Sequence, residues 1–156
     1  MQEIYLTAEG LKKLTDDLNY LKTVKKRELS KAIGEAREYG DLKENAEYHA
    51  AKEEQGRIEA KIRLLESQIA MARLIEEENL PTDMICIGAK VELKNLDNNS
   101  EITYRLVSPI EANSNFGRIS ITSPVAKGLL GKKVGDIAKI NIPAGLLHYE
   151  ILNISR

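Results

Sequence analysis

Leucine recurs along the first part of the chain at steps of three and four. Leu11, Leu14, Leu18 and Leu21 fall on one face of a helix, the a and d seam of a coiled coil. From Leu21 the chain takes a four-and-four step via Lys25 before the seam continues through Leu29, Ala32, Ala36 and Tyr39. Such a slip has the character of an eleven-residue phase and locally straightens a left-handed supercoil. A second stripe carries Ala46, Ala50, Ile58, Ile62, Leu65, Ile69 and Ala72. Between the stripes lies Tyr39-Gly40-Asp41-Leu42, with Gly40 suited to a left-handed helix stop and Asp41 to a new helix start. Two stripes of similar length joined by so short a turn predict an antiparallel hairpin. Each arm of roughly 30 residues would be about 45 Å long at 1.5 Å per residue. Small seam residues near the turn (Ala32, Ala36, Ala46 and Ala50) would keep its far end thin. Thr7 is the predicted N-cap of the first helix, with Glu9 favourably placed in its first turn.

After Asn79-Leu80-Pro81-Thr82-Asp83 the pattern changes to short alternating runs separated by turns. Val91 and Leu93, then Ile102 to Leu106, flank the turn residues Asp97-Asn98-Asn99-Ser100, a hairpin signal. Residues 118–122, 138–142 and 149–154 read as further strands. Between Pro124 and Gly131 a short helix is predicted, with Ser123 as its cap and Pro124 in its first position. The fold class is therefore α+β in two parts. Residues 1–78 form a helical hairpin with its tip near 40–44, and residues 79–156 form a small antiparallel sheet with one helix.

Composition narrows the function classes. Of the 156 residues, 42% are hydrophobic and 30% charged, which excludes a disordered chain. Aromatic residues make up only 4%, with one Phe and no Trp, as long helices packed on Leu, Ile and Ala would show. The formal charge of −1 argues against a generic nucleic-acid binder with a strongly basic surface. Residues 1–78 carry 14 basic and 17 acidic residues and the remainder 9 and 7, too small a difference to identify a partner. The single cysteine, Cys86, excludes an internal disulfide, and with two histidines it leaves no zinc cluster. No apolar run reaches membrane-span length and no secretion signal opens the chain, so a cytoplasmic protein is expected.

The concentrated chemistry lies at the hairpin tip, in Gly40-Asp41-Leu42-Lys43-Glu44-Asn45-Ala46-Glu47-Tyr48-His49. Asp41-x-x-Glu44 has the spacing of a capping box, in which both carboxylates serve the start of the second helix. Placed at the end of a slender probe, the same pair could instead help to hold a divalent cation in another protein. Mg2+ is a hard cation commonly bound by one or two carboxylates, and phosphodiester hydrolysis often uses two such ions. The two roles are compatible, and spacing alone does not choose between them.

The segment Glu35-Ala-Arg-Glu-Tyr-Gly-Asp-Leu-Lys-Glu-Asn-Ala-Glu-Tyr-His-Ala-Ala51 resembles the tip signature of the bacterial transcript-cleavage factors of the Gre family, GreA type. Tyr5 to Leu11 resembles the family's first helix start, and Ile119 to Gly131 with Val134-Gly-Asp136 resembles its C-terminal signature. The resemblance implies a hairpin that enters the secondary channel of bacterial RNA polymerase and an FKBP-like C-terminal domain that docks at the channel rim. It implies an accessory factor, not an enzyme by itself, that stimulates the polymerase to cut backtracked RNA and so rescues arrested complexes. By position, Asp41 and Glu44 would assist the polymerase active centre and share its second Mg2+, bound only in the complex; the isolated chain would hold no cofactor. Arg37 and Lys52 would contact the extruded 3′ end of the RNA, and Thr122, Ser123 and Pro124 would meet the polymerase rim. Modest basic content near the tip suits the GreA type over the GreB type, and Lys43 between the acids favours cleavage over inhibition. An FKBP-like fold would not bring prolyl isomerase activity, because only Phe116, Tyr104 and Tyr149 could line an aromatic pocket. The rival readings are a channel-binding inhibitor and a plain coiled-coil interaction protein. An apolar docking patch would also allow the free protein to self-associate.

Overall fold

A computed structural model of the chain describes residues 3–40, 45–76 and 80–156. Its residues gather into two compact units. One is Leu11–Ala72; the other joins Glu3–Gly10 to Arg73–Arg156. The opening residues, grouped with the hairpin on sequence grounds, thus pack with the sheet.

In the first unit, helix α1 (Ala8–Tyr20) runs into a π-helical turn (Leu21–Lys25) and on into α2 (Lys26–Arg37), and α3 (Ala46–Met71) returns. The π turn sits where the sequence showed the 4+4 slip. In it the Lys26 amide donates to the Leu21 carbonyl, five residues back, so one extra residue is absorbed and the apolar face stays aligned. Leu14, Leu29, Ile33 and Ala36 are buried from the outgoing arm, and Ile62 and Leu65 from the returning one. The seam therefore passes through Ile33, whereas the predicted Ala32 is exposed. Ile has far more apolar surface to withdraw from water than Ala. On the returning arm the predicted Ala46 and Ala50 are likewise exposed, and the half-buried positions include Tyr48, Ala51, Gln55 and Ile58. These alternate steps of three and four into Ile62 and Leu65, an unbroken heptad. Lys22 Nζ meets Glu66 Oε1 at 2.7 Å between the arms.

The second unit is built on a five-stranded sheet in the order β5-β4-β3-β7-β6, from β3 (Lys90–Asn95), β4 (Glu101–Val107), β5 (Arg118–Ser120), β6 (Ile137–Ile142) and β7 (Gly145–Ser155). All neighbours are antiparallel except β4 and β5, which are parallel at one edge. Helix α4 (Pro124–Leu129) covers the apolar face, where Ile85, Val91, Leu93, Leu106, Ala126, Leu129, Ile140 and Ile151 form the core. The β3–β4 turn is held by two Asx bonds, Asp97 N to Asn95 Oδ1 and Ser100 N to Asn98 Oδ1, both 2.9 Å. On β7 the buried positions are Tyr149, Ile151 and Ile154. A register shift against β3 skips Leu152 and reverses the alternation. Two three-residue strands, β1 (Ile4–Leu6) and β2 (Ala72–Leu74), pair as a separate ribbon. Ala72 is therefore extended, at φ −69° and ψ 139°, and does not continue the second stripe.

The start of α1 is fixed within this second unit. Thr7 caps it as the sequence predicts, its Oγ1 accepting from the Gly10 amide at 3.0 Å. The Glu111 carboxylate then accepts from the Thr7 amide at 3.0 Å and from the Thr7 hydroxyl at 2.5 Å. Glu111 lies so close over Gly10 that an added Cβ would clash with its Oε1.

Candidate functional site

At the tip of the hairpin, α2 ends at Arg37 and Gly40 takes φ +113°, a conformation that glycine adopts without the cost a side chain imposes. Asp41 and Glu44 lie outside the described residues. The cap of α3 does not: it is Asn45, whose Oδ1 accepts from the Tyr48 amide at 3.0 Å. The predicted start at Asp41 is therefore four residues too early. An asparagine at this place performs two tasks that an aspartate could not combine. Its carbonyl oxygen caps α3 while its Nδ2 donates to the Ala36 carbonyl at the end of α2, which also accepts from the Tyr39 amide at 3.2 Å. Asn45 is only 7% exposed, so both bonds are sheltered from water. With Asn45 as cap, the third residue of α3 is Tyr48, and the capping-box role assigned to Asp41 and Glu44 at this helix is already filled.

Around this clamp the structure gathers part of the predicted site. The Arg37 guanidinium lies 5.9 Å from the centre of the Tyr48 ring, within reach of a cation–π attraction. Lys52 is one turn further along the same face of α3 as Tyr48, and its Nζ donates to Gln55 Oε1 at 3.0 Å. Arg37 and Lys52 are exposed, and Tyr39 is 75% exposed. Arg37 and Tyr39 thus precede Asp41–Glu44 in the sequence, and Tyr48 and Lys52 follow it. The His49 ring makes an edge contact with Tyr48, centroids 5.7 Å apart. Sequence pattern alone did not single out Asn45, although an Asn directly before Ala-Glu-Tyr is a cap signal in its own right.

The other predicted group sits before α4. Ser123 Oγ accepts from the Ala126 amide at 3.2 Å and donates to the Ser120 carbonyl at 2.7 Å, and Pro124 is the first helical residue. Thr122 is exposed, with its hydroxyl 2.7 Å from that of Ser120. The three residues form one short, internally bonded corner. Phe116 is 77% exposed, whereas Tyr149 is buried beside Tyr104. Burial, and after it the charge and hydrogen bond of Tyr104, raise the Tyr149 hydroxyl above the ordinary tyrosine range.

Fold and site define a class: a protein that offers polar and aromatic side chains at the tip of a helical hairpin, with a separate sheet unit. Residues 4–74 match the family described as Transcription elongation factor, N-terminal, and residues 80–156 match Transcription elongation factor, GreA/GreB, C-term. The Transcription elongation factor GreA of Christiangramia forsetii is 51% identical over 97% of this chain and 96% of its own. That of Baumannia cicadellinicola is 48% identical over 99% and 98%. Among solved structures, the GreA factor homolog 1 (Gfh1) protein of Thermus thermophilus is 32% identical over 99% of this chain and all of that one, with a TM-score of 0.45. The chain belongs to the GreA/GreB family of transcription elongation factors.

Proposed function

We propose that this chain acts on RNA polymerase as a transcript-cleavage factor, its hairpin tip entering the secondary channel to help the polymerase cut backtracked RNA. The observation that carries this reading is the tip itself. Family likeness runs through it, and Asn45 caps α3, so Asp41 and Glu44 are not needed to start that helix. Carboxylate oxygens are the donors that a weakly held Mg2+ accepts, and in the complex the pair would share that ion with the polymerase. The ion would supply charge neutralisation and an activated water for phosphodiester hydrolysis. The chain's own part is positional. Asn45 clamps together the two helix ends that flank Asp41–Glu44 in the sequence, and catalysis by positioning depends on such rigidity. Arg37 and Lys52 add positive charge for the phosphates of the extruded 3′ end, and exposed Tyr39 offers a face on which a displaced base can stack. Thr122, Ser123 and Pro124 form a stiff corner suited to docking at the channel rim.

The test is RNA cleavage in stalled, backtracked polymerase complexes, comparing wild type with Asp41→Asn and Glu44→Gln. Release of short 3′ fragments by wild type, reduced at least a hundredfold in both variants, is the expected result. Because neither residue caps α3, both variants should melt within about 0.5 kcal/mol of wild type. Full cleavage by either variant would remove the carboxylates from the mechanism. Binding by wild type without cleavage would make the chain a channel inhibitor instead.

A further inference from the structure

The two outer edges of the five-stranded sheet are finished differently. At one, β5 has three residues, and the chain closes part of that edge with its own backbone: Asn113 and Arg118 exchange two bonds, of 2.8 and 3.0 Å. At the other, β6 runs for six residues, Ile137–Ile142, in unbroken antiparallel register with β7. The ladder decides which of its groups face outwards. Asp136 O accepts from the Ile151 amide at 3.0 Å, and bonded pairs recur at every second residue of an antiparallel pair. Ala138, Ile140 and Ile142 therefore bond to β7, and the N–H and C=O of Ile137, Lys139 and Asn141 point to the open edge. Among the described residues no other backbone group bonds to those three. An open edge of this kind is a template for one more strand.

Charge selects the strand that fits. Lys139 stands exposed in the middle of the edge, and its register partner on β7 is His148, whose Nδ1 lies 3.5 Å from Asp97 Oδ1. No acid is therefore directly opposite Lys139. Glu150, on the diagonal, sits between its own register partners Ile137 and Lys94. Lys132 and Lys133 lead into the strand, and the acid that follows them, Asp136, accepts from the Lys133 amide at 2.9 Å. None of Lys132, Lys133 and Lys139 forms an ion pair with another described residue. Val134 and Ile137, 53% and 52% exposed, add apolar surface at the same end. A second copy of the chain fits poorly, because antiparallel self-pairing about the strand centre sets Lys139 against its own counterpart, and like charges opposite one another weaken a sheet. The geometry points to β6 as a docking edge for an extended acidic segment of a partner protein, with an acidic side chain beside Lys139 and an apolar one beside Ile137. The edge belongs to the second unit and does not depend on the cleavage reading.

The test uses the full chain without polymerase and a labelled peptide, Thr-Val-Thr-Glu-Thr-Val-Thr-Glu, whose Val and Glu alternate on one face of a strand. By anisotropy it should bind about tenfold more tightly than the same peptide with Lys for Glu, and Lys139→Glu, a change at an exposed position, should abolish that preference. N-methylation of the peptide at Val and Glu keeps its charge but removes the donors that face β6, and should weaken binding about tenfold or more. In hydrogen exchange read by NMR, bound peptide should slow the amides of Ile137, Lys139 and Asn141 about tenfold and leave Ala138 and Ile140, already in the ladder, nearly unchanged. Absence of binding, or equal binding of the N-methylated peptide, would overturn the inference, the second by reducing it to charge attraction. Slowing of the same three amides by single-stranded RNA as strong as by the peptide would overturn it in favour of nucleic acid. Slowing that grows with protein concentration in the absence of peptide would overturn it in favour of a second copy of the chain.

Discussion

Asn45 is the residue on which the tip turns, because one buried amide serves both helix ends. Asn45→Ala removes a cap and leaves the Ala36 carbonyl without that donor, so a loss of about 2 kcal/mol is expected in urea unfolding. Asn45→Asp keeps the cap oxygen but has no donor for Ala36, and it should fall between wild type and the alanine variant. Equal stability of all three would show that the clamp does not hold in solution. The D-x-x-E spacing pointed instead to Asp41 because a capping-box pattern fits wherever the two residue types recur. Sequence carries no sign that the Ala36 carbonyl takes a side-chain donor from Asn45, a role that an amide can fill and a carboxylate cannot. Cys86 was more legible. Flanked by Ile85 and Ile87, it reads as a small apolar residue, and burial, followed by the charge of Asp83, raises its thiol above the ordinary cysteine range. The thiolate is the reactive form, so alkylation at neutral pH should be several-fold slower than for a free cysteine, recovering as pH rises past the normal thiol range. A rate matching free cysteine at pH 7 would contradict the burial.

At the scale of elements, the outgoing arm was readable because its leucines announce the frame, and the 4+4 step even marked where the helix departs from α geometry. What the pattern could not say is how the departure is made. The structure makes it with a π turn at Leu21–Lys25, a form that is rare because its hydrogen-bond geometry is poor. Deleting Val24 should therefore remove the turn. The seam would then step by three and four throughout, with Lys26 taking the place of Lys25 and with Leu29, Ile33 and Ala36 in heptad positions. The expected gain is about 1 kcal/mol, or about 4–8 °C in Tm for a unit of this size, read by circular dichroism. A lower Tm would mean that the hairpin is packed to fit the π turn. The returning arm was misread near the tip because Tyr48 and Gln55 occupy seam positions there, and neither signals a core. Strand β7 was found, but its bulge at Leu152 is invisible to a period of two. Strands β1 and β2 are too short for any period to appear.

At the scale of the molecule, the sequence divides the chain where its grammar changes, near residue 79, and that division is a proposal about covalent order. The packing follows different lines, because Glu3–Gly10 lies with Arg73–Arg156. A change in hydrophobic period locates the end of a hairpin but says nothing about an N-terminal segment that returns to a distant sheet. The partners here are separated by 104 residues: Thr7 donates twice to Glu111, and Gly10 leaves the room in which that carboxylate sits. Glu111→Ala should cost about 1–3 kcal/mol, since it strips the Thr7 amide and hydroxyl of their part-buried acceptor. Gly10→Ala should cost a similar amount by a different route, its methyl displacing the Glu111 carboxylate from the same bonds. The two changes destroy one interaction, so their combined effect in a double-mutant cycle should fall short of the sum by at least 1 kcal/mol. Simple addition would mean that Gly10 and Glu111 act independently, and that the opening residues are held to the sheet by something other than this clasp. With the clasp intact, a fragment that begins at residue 80 lacks Thr7 altogether and should melt below the same unit in the full chain by about the cost of Glu111→Ala.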